Sequence, residues 1–337
     1  PTRPQDKFNV RKKDKSIFRN TILPFWQGKT LEDVLKDRYG KQIKEIEKVV
    51  KINQKDHAQG HICPDVETWL KLGPTGLKEK AENKMKEVGG KEKKDFYRGV
   101  ITVLEASQEF IRRYGKLARE MINNFDNQNT DKKTNVDRQS NLQNIFETCF
   151  NLAEEPPRTF REALQAVWFL FVILQLESNA SSFSPGRMDQ YLFSYFKNDL
   201  DKGNITLYEG LELIEALFLK FNQIVYMRNE ESARYFAGFP IGFNVLIGGQ
   251  TVRGDDATNP LSYLFLQAQA HLGLPQPNLS ARLHNNSPDK FINKCSRIIG
   301  QGSGMPQIFS DESIIPALKN QGISDNDAMD YAVVGCV

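Results

Sequence analysis

Cysteine is scarce in this 337-residue chain, whose four cysteines (Cys63, Cys149, Cys295, Cys336) are widely scattered with no Cys-x-x-Cys pair. That spacing argues against a disulfide framework and against a structural zinc site, so a reducing cytoplasm is the expected compartment. Net charge is nearly lacking too, at +3 from 45 basic and 42 acidic side chains. So small an excess gives no case for nucleic acid or an acidic membrane as a partner. No apolar run reaches the ~20 residues of a membrane span. The most apolar one, Ala163 to Leu176, is interrupted by Gln165 and Gln175 and reads as a buried helix. The opening Pro1-Thr-Arg-Pro-Gln-Asp-Lys has neither an initiator methionine nor an apolar signal core behind it. The chain is therefore expected to begin inside a longer product or after processing.

What is present is ordinary for a globular protein, 39% hydrophobic and 26% charged, with length enough for one to three domains. Residues 1–155 read as a mainly helical, charged region. Thr30 and Asp33 resemble a capping box ahead of Leu31, Val34 and Leu35, and Gly99 to Phe125 carries apolar residues at helical spacing. Asn124 to Asp137, rich in Asn, Asp and Lys, reads as an exposed loop. Glu154-Glu-Pro-Pro-Arg158 marks a boundary, because consecutive prolines stop a helix. In residues 156–337, helical patterns at Phe160–Glu177, Tyr208–Phe221 and Asp289–Ile299 alternate with strand-like stretches at Phe236–Gly249 and Gln276–Leu283. That alternation predicts an α/β arrangement with partly parallel strands.

Several motifs invite a functional reading. Gly300-x-Gly302-x-Gly304 lacks the spacing of a nucleotide cradle and precedes Met305-Pro306, so a tight turn is expected. His57 and His61 are four apart, but Gly60 and Pro64 disfavour a helix there, and no metal site is expected. The segment Asp56 to Asp65 reads as a loop presenting two His and two Asp; a solvated surface loop and a site loop both fit. Glu177-Ser-Asn-Ala-Ser-Ser-Phe-Ser-Pro-Gly186-Arg-Met-Asp189 packs hydroxyls, an Arg and an Asp after an apolar helix. It is either a helix-ending turn or a polar cluster at the mouth of a pocket. Cys336, after Ala332-Val-Val-Gly335, would by composition alone be an inert apolar thiol.

Taken together, six strings run in a recognisable order: Pro24-Phe-Trp-Gln-Gly-Lys29, Gly60-His61-x-x-x-Asp65, Ser184-Pro-Gly186-Arg-Met-Asp-Gln-Tyr191, Ser232 to Pro240, Leu274-Pro-Gln-Pro-Asn278-Leu, and Asp327 to Val337. They resemble the glycyl-radical enzyme superfamily, which includes pyruvate formate-lyase and the glycerol and diol dehydratases. The likeness is strongest to the branch described as a second formate acetyltransferase, which by sequence groups with the glycerol and diol dehydratases. It implies a pyruvate formate-lyase-like α/β barrel of ten strands in two five-stranded halves. This chain would supply a helical N-terminal region and about the first half-barrel, ending at the cysteine loop.

The same resemblance implies that Cys336 is the catalytic thiol. A backbone glycine radical outside this chain, installed by a radical S-adenosylmethionine activating enzyme, would take its hydrogen, and the thiyl radical would abstract hydrogen from substrate. No dissociable cofactor is implied. His61 would be the second catalytic residue, handling a proton, with Ser182, Asp65, Ser181 and Phe243 binding a small-molecule substrate. Pyruvate formate-lyase has two adjacent cysteines here, whereas this chain has only Cys336 in Gly335-Cys336-Val337. That favours a dehydratase of a small diol or polyol over formate acetyltransferase. Glycerol dehydratases carry His-Ser where this chain has Ser181-Ser182, which turns the expectation away from glycerol itself. A homodimer is expected. The family's acidic residue after Gly-Cys-Val, its second half-barrel and its radical glycine loop would lie beyond Val337. The isolated chain is accordingly expected to be inactive, and the alternative of another class is an inactive truncated or structural fragment.

Overall fold

The computed structural model describes residues 10–50, 60–124, 132–178, 181–224 and 242–335. Helices dominate the first half. Thr30 caps α1 (Leu31–Glu47) through the reciprocal box with Asp33 that the sequence predicts. α2 (Val66–Glu87) is two helices joined at Gly73-Pro74, where Gly73 takes φ 61°. α3 (Lys91–Asn123) buries Leu104, Gln108, Ile111, Gly115 and Ala118, a three–four spacing that gives one buried stripe. α4 (Lys132–Glu154) packs along that stripe, and a side chain at Gly115 would collide with Phe150 at 2.8 Å.

The predicted loop Asn124–Asp137 is corrected in its last part, because residues 132–137 belong to α4. Residues 125–131 lie outside the described residues. A polar segment without Gly or Pro does not break a helix, and none occurs between Lys132 and Glu154.

α5 (Phe160–Ser178) is the apolar helix expected from composition, and no helix among the described residues is long and apolar enough to cross a membrane. Trp69 on α2 donates its indole N–H to the Ala166 carbonyl at 3.0 Å, tying the helical region to α5. Asp199 on α6 (Phe193–Asp201) accepts the Phe160 N–H at 2.7 Å, occupying one of α5's unpaired first-turn donors. α7 (Leu207–Phe221) opens with a second capping box, Thr206 and Glu209.

The second half is strand–helix–strand. β1 (Asn244–Gly248), α8 (Pro260–Leu272), β2 (Asn278–Leu283), α9 (Asp289–Ile298) and β3 (Gln307–Ser310) make a parallel sheet in the order β1-β2-β3. At the glycine run, where a tight turn is expected, Ile299–Ser303 instead extends α9 by one wide π-helical turn, broken at Gly302 (φ 88°) and closed by Gly304 at positive φ. Two parallel bridges, Gly186 to Val245 and Ile62 to Phe183, carry the arrangement past β1. Two further segments are thus joined to the three-stranded sheet by single parallel bridges, in the order 60–63, 181–187, β1, β2, β3. One continuous core, from Val66 and Ile111 through Phe171 to Val245 and Phe291, lies beneath them. α10 (Asp311–Asn320) and α11 (Asp325–Met329) then lead into the irregular stretch that ends at Gly335.

Candidate active site

The site forms where the 60–63 and 181–184 segments meet the end of the chain. His61 donates its N–H to the Ser181 carbonyl at 3.0 Å, and Ser184 donates to the Ile62 carbonyl at 2.9 Å. The fit is close: a side chain at Gly60 would lie 2.7 Å from the Ser181 carbonyl oxygen. His61 and Ser182 both sit in the left-handed region, at φ 59° and 62°, the two non-glycine residues that do so among those described. That conformation costs a non-glycine residue about 1–2 kcal/mol, and strain of this kind collects at functional sites.

Both strained residues flank Gly335 on the side a Cβ would occupy. A Cβ on Gly335 would stand 2.8 Å from His61 Cδ2, 3.3 Å from His61 Nε2 and 3.7 Å from Ser182 Cβ, and the residue's φ is +93°. Glycine is therefore required twice, by torsion and by space. Its peptide is gripped from both sides. The N–H donates to Ser184 Oγ at 3.3 Å, and the carbonyl accepts from Asn278 Nδ2 at 3.4 Å and Asn244 Nδ2 at 3.5 Å. Ser184, Asn244 and Asn278 are all buried, and the two asparagines are register partners opening β1 and β2. Cys336, the next residue, lies outside the described residues, as does His57.

Four residues along β2 from Asn278, charge does the holding. Arg282 and Asp311, both fully buried, form a two-pronged pair at 2.8 and 3.0 Å. The same guanidinium donates to the Met329 carbonyl at 2.9 Å and the Tyr331 carbonyl at 3.1 Å, with the Tyr331 ring stacked 4.0 Å away. Tyr331 donates its hydroxyl to Asp311 Oδ1 at 2.9 Å, and burial chiefly raises its pKa above the ordinary phenol value. Arg187 donates to Asp330 Oδ1 at 2.6 Å and to the carbonyls of Gly248 and Gln250. Asp189, buried on the same string, accepts from Gly248 N–H at 2.8 Å and Ser262 Oγ at 2.5 Å; burial pushes its carboxyl pKa up. Cys63 is exposed as a residue, but its sulfur backs onto Gly186, and partial desolvation there, helped by Asp330 and Asp65, pushes its thiol up to about 11.

The remaining sequence candidates are spread more widely. Ser182 is buried beside Gly335, whereas Ser181 meets the His61 loop through its carbonyl. Asp65 is exposed and caps α2, accepting the Thr68 N–H at 3.0 Å. Phe243 is wholly buried, with its ring 5.6 Å from Phe171 and 4.9 Å from Phe221 in the aromatic core. Among the described residues no group of three or more His, Cys, Asp or Glu could hold a metal ion.

Sequence reading passed over Asn244, Asn278, Arg282 and Asp311. The usable signal was the alternation in Asn278-Leu-Ser-Ala-Arg282-Leu, which puts Asn278, Ser280 and Arg282 on one face of β2. A buried strand with a polar face must find partners for it.

Chemically, the arrangement offers an exposed imidazole beside a buried hydroxyl, over a peptide fixed by three polar side chains. An imidazole can take or give a proton near neutral pH, and a hydroxyl can both donate and accept. Such a pair suits a substrate that presents hydroxyl groups to this edge of the sheet.

Comparison with known proteins shows the family. The family described as pyruvate formate lyase-like matches residues 1–337. The isethionate sulfite-lyase of Oleidesulfovibrio alaskensis is 32% identical over 359 residues, covering 100% of this chain and 42% of its own. The (2S)-3-sulfopropanediol dehydratase of Klebsiella oxytoca is 32% identical, covering 99% of this chain and 41% of its own. Among solved structures, the glycerol-bound B12-independent glycerol dehydratase from Clostridium butyricum matches with a TM-score of 0.85 at 33% identity. That match covers 99% of this chain and 42% of the other. The chain thus spans about two fifths of the length of the relatives it matches, in their N-terminal part. On the family match over its whole length, the chain belongs to the pyruvate formate lyase-like glycyl-radical enzymes.

Proposed function

We propose that the protein to which this chain belongs is a glycyl-radical dehydratase that removes water from a small diol or a related hydroxylated substrate. The observation that carries the reading is the meeting of His61 and Ser182, both in left-handed backbone, at Gly335, the residue before Cys336. Cys336 is the proposed hydrogen-abstracting thiol. His61 is the proposed acid–base residue, and Ser182 binds a substrate hydroxyl, with Ser181 at the rim. Water loss after hydrogen abstraction needs one hydroxyl to lose its proton and the departing one to gain it. An imidazole beside a hydroxyl meets both needs. Asp65 and Phe243 take lesser parts, as the cap of α2 and the wall of the core.

Support for water loss over acyl transfer comes from the single thiol in Gly335-Cys336-Val337 and from relatives named as dehydratases of sulfopropanediol and glycerol. The glycine radical, when formed, supplies the initial hydrogen abstraction; the residues of this chain bind, orient and move protons. A radical S-adenosylmethionine activating enzyme as partner, a homodimer, a cytoplasmic setting and a division at 155/156 belong to the same proposal.

The test is anaerobic turnover by the activated full polypeptide, offered 1,2-propanediol, glycerol, and pyruvate with coenzyme A in separate assays. Aldehyde formed from a diol, and lost in Cys336→Ala, is the expected result. Acetyl-coenzyme A and formate in place of any aldehyde would overturn it in favour of formate acetyltransferase.

A further inference from the structure

We propose that Arg282 is a positioning residue for the thiol loop, acting through the main chain at 329–331 with Arg187 as a second, weaker tie. The inference rests on the reading of Cys336 as the hydrogen-abstracting thiol, and it adds what keeps that thiol in place.

Arg282 has five N–H donors, and four of its bonds are accounted for: two to the Asp311 carboxylate, one to the Met329 carbonyl and one to the Tyr331 carbonyl. Nothing in β2 requires this, since a sheet strand is satisfied by its backbone ladder. The guanidinium instead satisfies carbonyls left over where α11 ends at Met329. Space has been cleared for it. A Cβ at Gly249 would stand 2.5 Å from Arg282 Nε, and Gly249 sits at φ +79°. The Tyr331 ring closes the other side and returns its hydroxyl to Asp311.

The consequence falls on the next four residues. From Tyr331 to Gly335 the chain has no helix or strand of its own. One end is fixed by Arg282 at Tyr331, the other by Ser184, Asn244 and Asn278 at Gly335. A short irregular stretch anchored at both ends has little freedom to carry the following residue away from its neighbours. Arg187, paired with the largely exposed Asp330, adds a tie at the residue between the two carbonyls. Hydrogen transfer demands reacting atoms within about 3–3.5 Å, and an error of about 1 Å can cost 100-fold in rate. The thiol of Cys336, one residue on from Gly335, is proposed to depend on such an anchor. Lysine cannot replace Arg282, because one ammonium cannot span a carboxylate and two carbonyls with a fixed fork.

Two measurements on the full polypeptide test this. Before activation, amide hydrogen exchange reports the loop alone. Arg282→Lys should speed exchange across 329–335 by about tenfold or more, while β1 stays protected. Asp330→Asn should speed it about threefold, in keeping with a partly exposed ion pair. After activation in deuterated water, the glycyl radical's paramagnetic doublet reports transfer. The S–H of the thiol exchanges with solvent; the glycine Cα–H does not. When S–D breaks, the deuterium bonds to the glycyl carbon and the radical passes to sulfur. Return of a hydrogen atom restores S–H and can leave deuterium on the glycine, so the splitting collapses.

Arg282→Lys should keep radical yield yet slow that collapse about 100-fold. Wild-type exchange and wild-type collapse in folded Arg282→Lys would overturn the proposal. If Arg282→Lys fails to fold, Asp311→Asn, which loosens the fork that aims Arg282 at the two carbonyls, decides: unchanged protection and collapse there refute the clamp, and the same result in Asp330→Asn refutes the Arg187 tie. Cys336→Ser separates the two claims. Collapse that survives Cys336→Ser refutes the thiol assignment, whereas collapse that needs Cys336 but ignores Arg282 refutes only the clamp.

Discussion

The stretch from Met329 to Gly335 is met by two very different surfaces. The front, at Gly335, has His61 and Ser182, both in strained backbone, His61 exposed. The back, at Met329 and Tyr331, has Arg282 and Asp311, both fully buried, their charges matched by each other, by two carbonyls and by a tyrosine hydroxyl. The front carries strain and an open imidazole; the back spends its polar groups on the chain itself. A surface that must receive a ligand keeps polar groups open to solvent, as the exposed His61 does. A surface that must not move can turn them inward.

The sharpest way to break the contrast is to unbalance the back. Asp311→Ala leaves the Arg282 guanidinium buried without its counter-charge. Removing one partner of a buried pair costs about 3–5 kcal/mol, so urea denaturation should show the largest loss of stability here. A loss under about 1 kcal/mol, the worth of an exposed pair, would show that water reaches the cluster and that the back is no firmer than the front.

Phe243 tests where the boundary between the two surfaces runs. Its ring packs on Phe171 and Phe221. Phe243→Ala should cost about 3 kcal/mol of stability through the cavity it leaves. A change in KM with stability preserved would instead make Phe243 a pocket wall, as the sequence suggested.

On the front the signs reverse. His61→Gly removes an exposed side chain and relieves a left-handed torsion, which should raise unfolding free energy by about 1 kcal/mol. The same change should reduce turnover of the activated enzyme about 100-fold or more by deleting the proton carrier. Stability gained with activity lost is what strain held for function predicts. A loss of both, measured by denaturation and by anaerobic turnover, would make His61 a structural residue.

Much of the back was illegible in the sequence for a physical reason. Arg282 finds its partners 29, 47 and 49 residues away, so no local spacing announces them. Local features fared better. The Thr30–Asp33 box, the apolar helix beginning at Phe160 and the strand around Asn278–Leu283 are set by near neighbours and were readable from them. The polar run before Asp137 misled because composition describes solubility, while a helix needs only the absence of breakers and a stripe to pack against. His61 became a candidate through resemblance, since its decisive property is a backbone torsion that no residue pattern encodes.

Asp65 gives the smallest and most discriminating test, because it belongs to the front by sequence and to the scaffold by its bond. Its carboxylate caps α2 from an exposed position. Asp65→Ala should cost about 1 kcal/mol, the usual worth of an N-cap, and Asp65→Ser should restore most of it. Serine caps as well as aspartate but carries no charge. If the cap is all that Asp65 provides, Asp65→Ser will also restore KM in the activated enzyme. If Asp65 contacts substrate or orients His61, stability will return and KM will not.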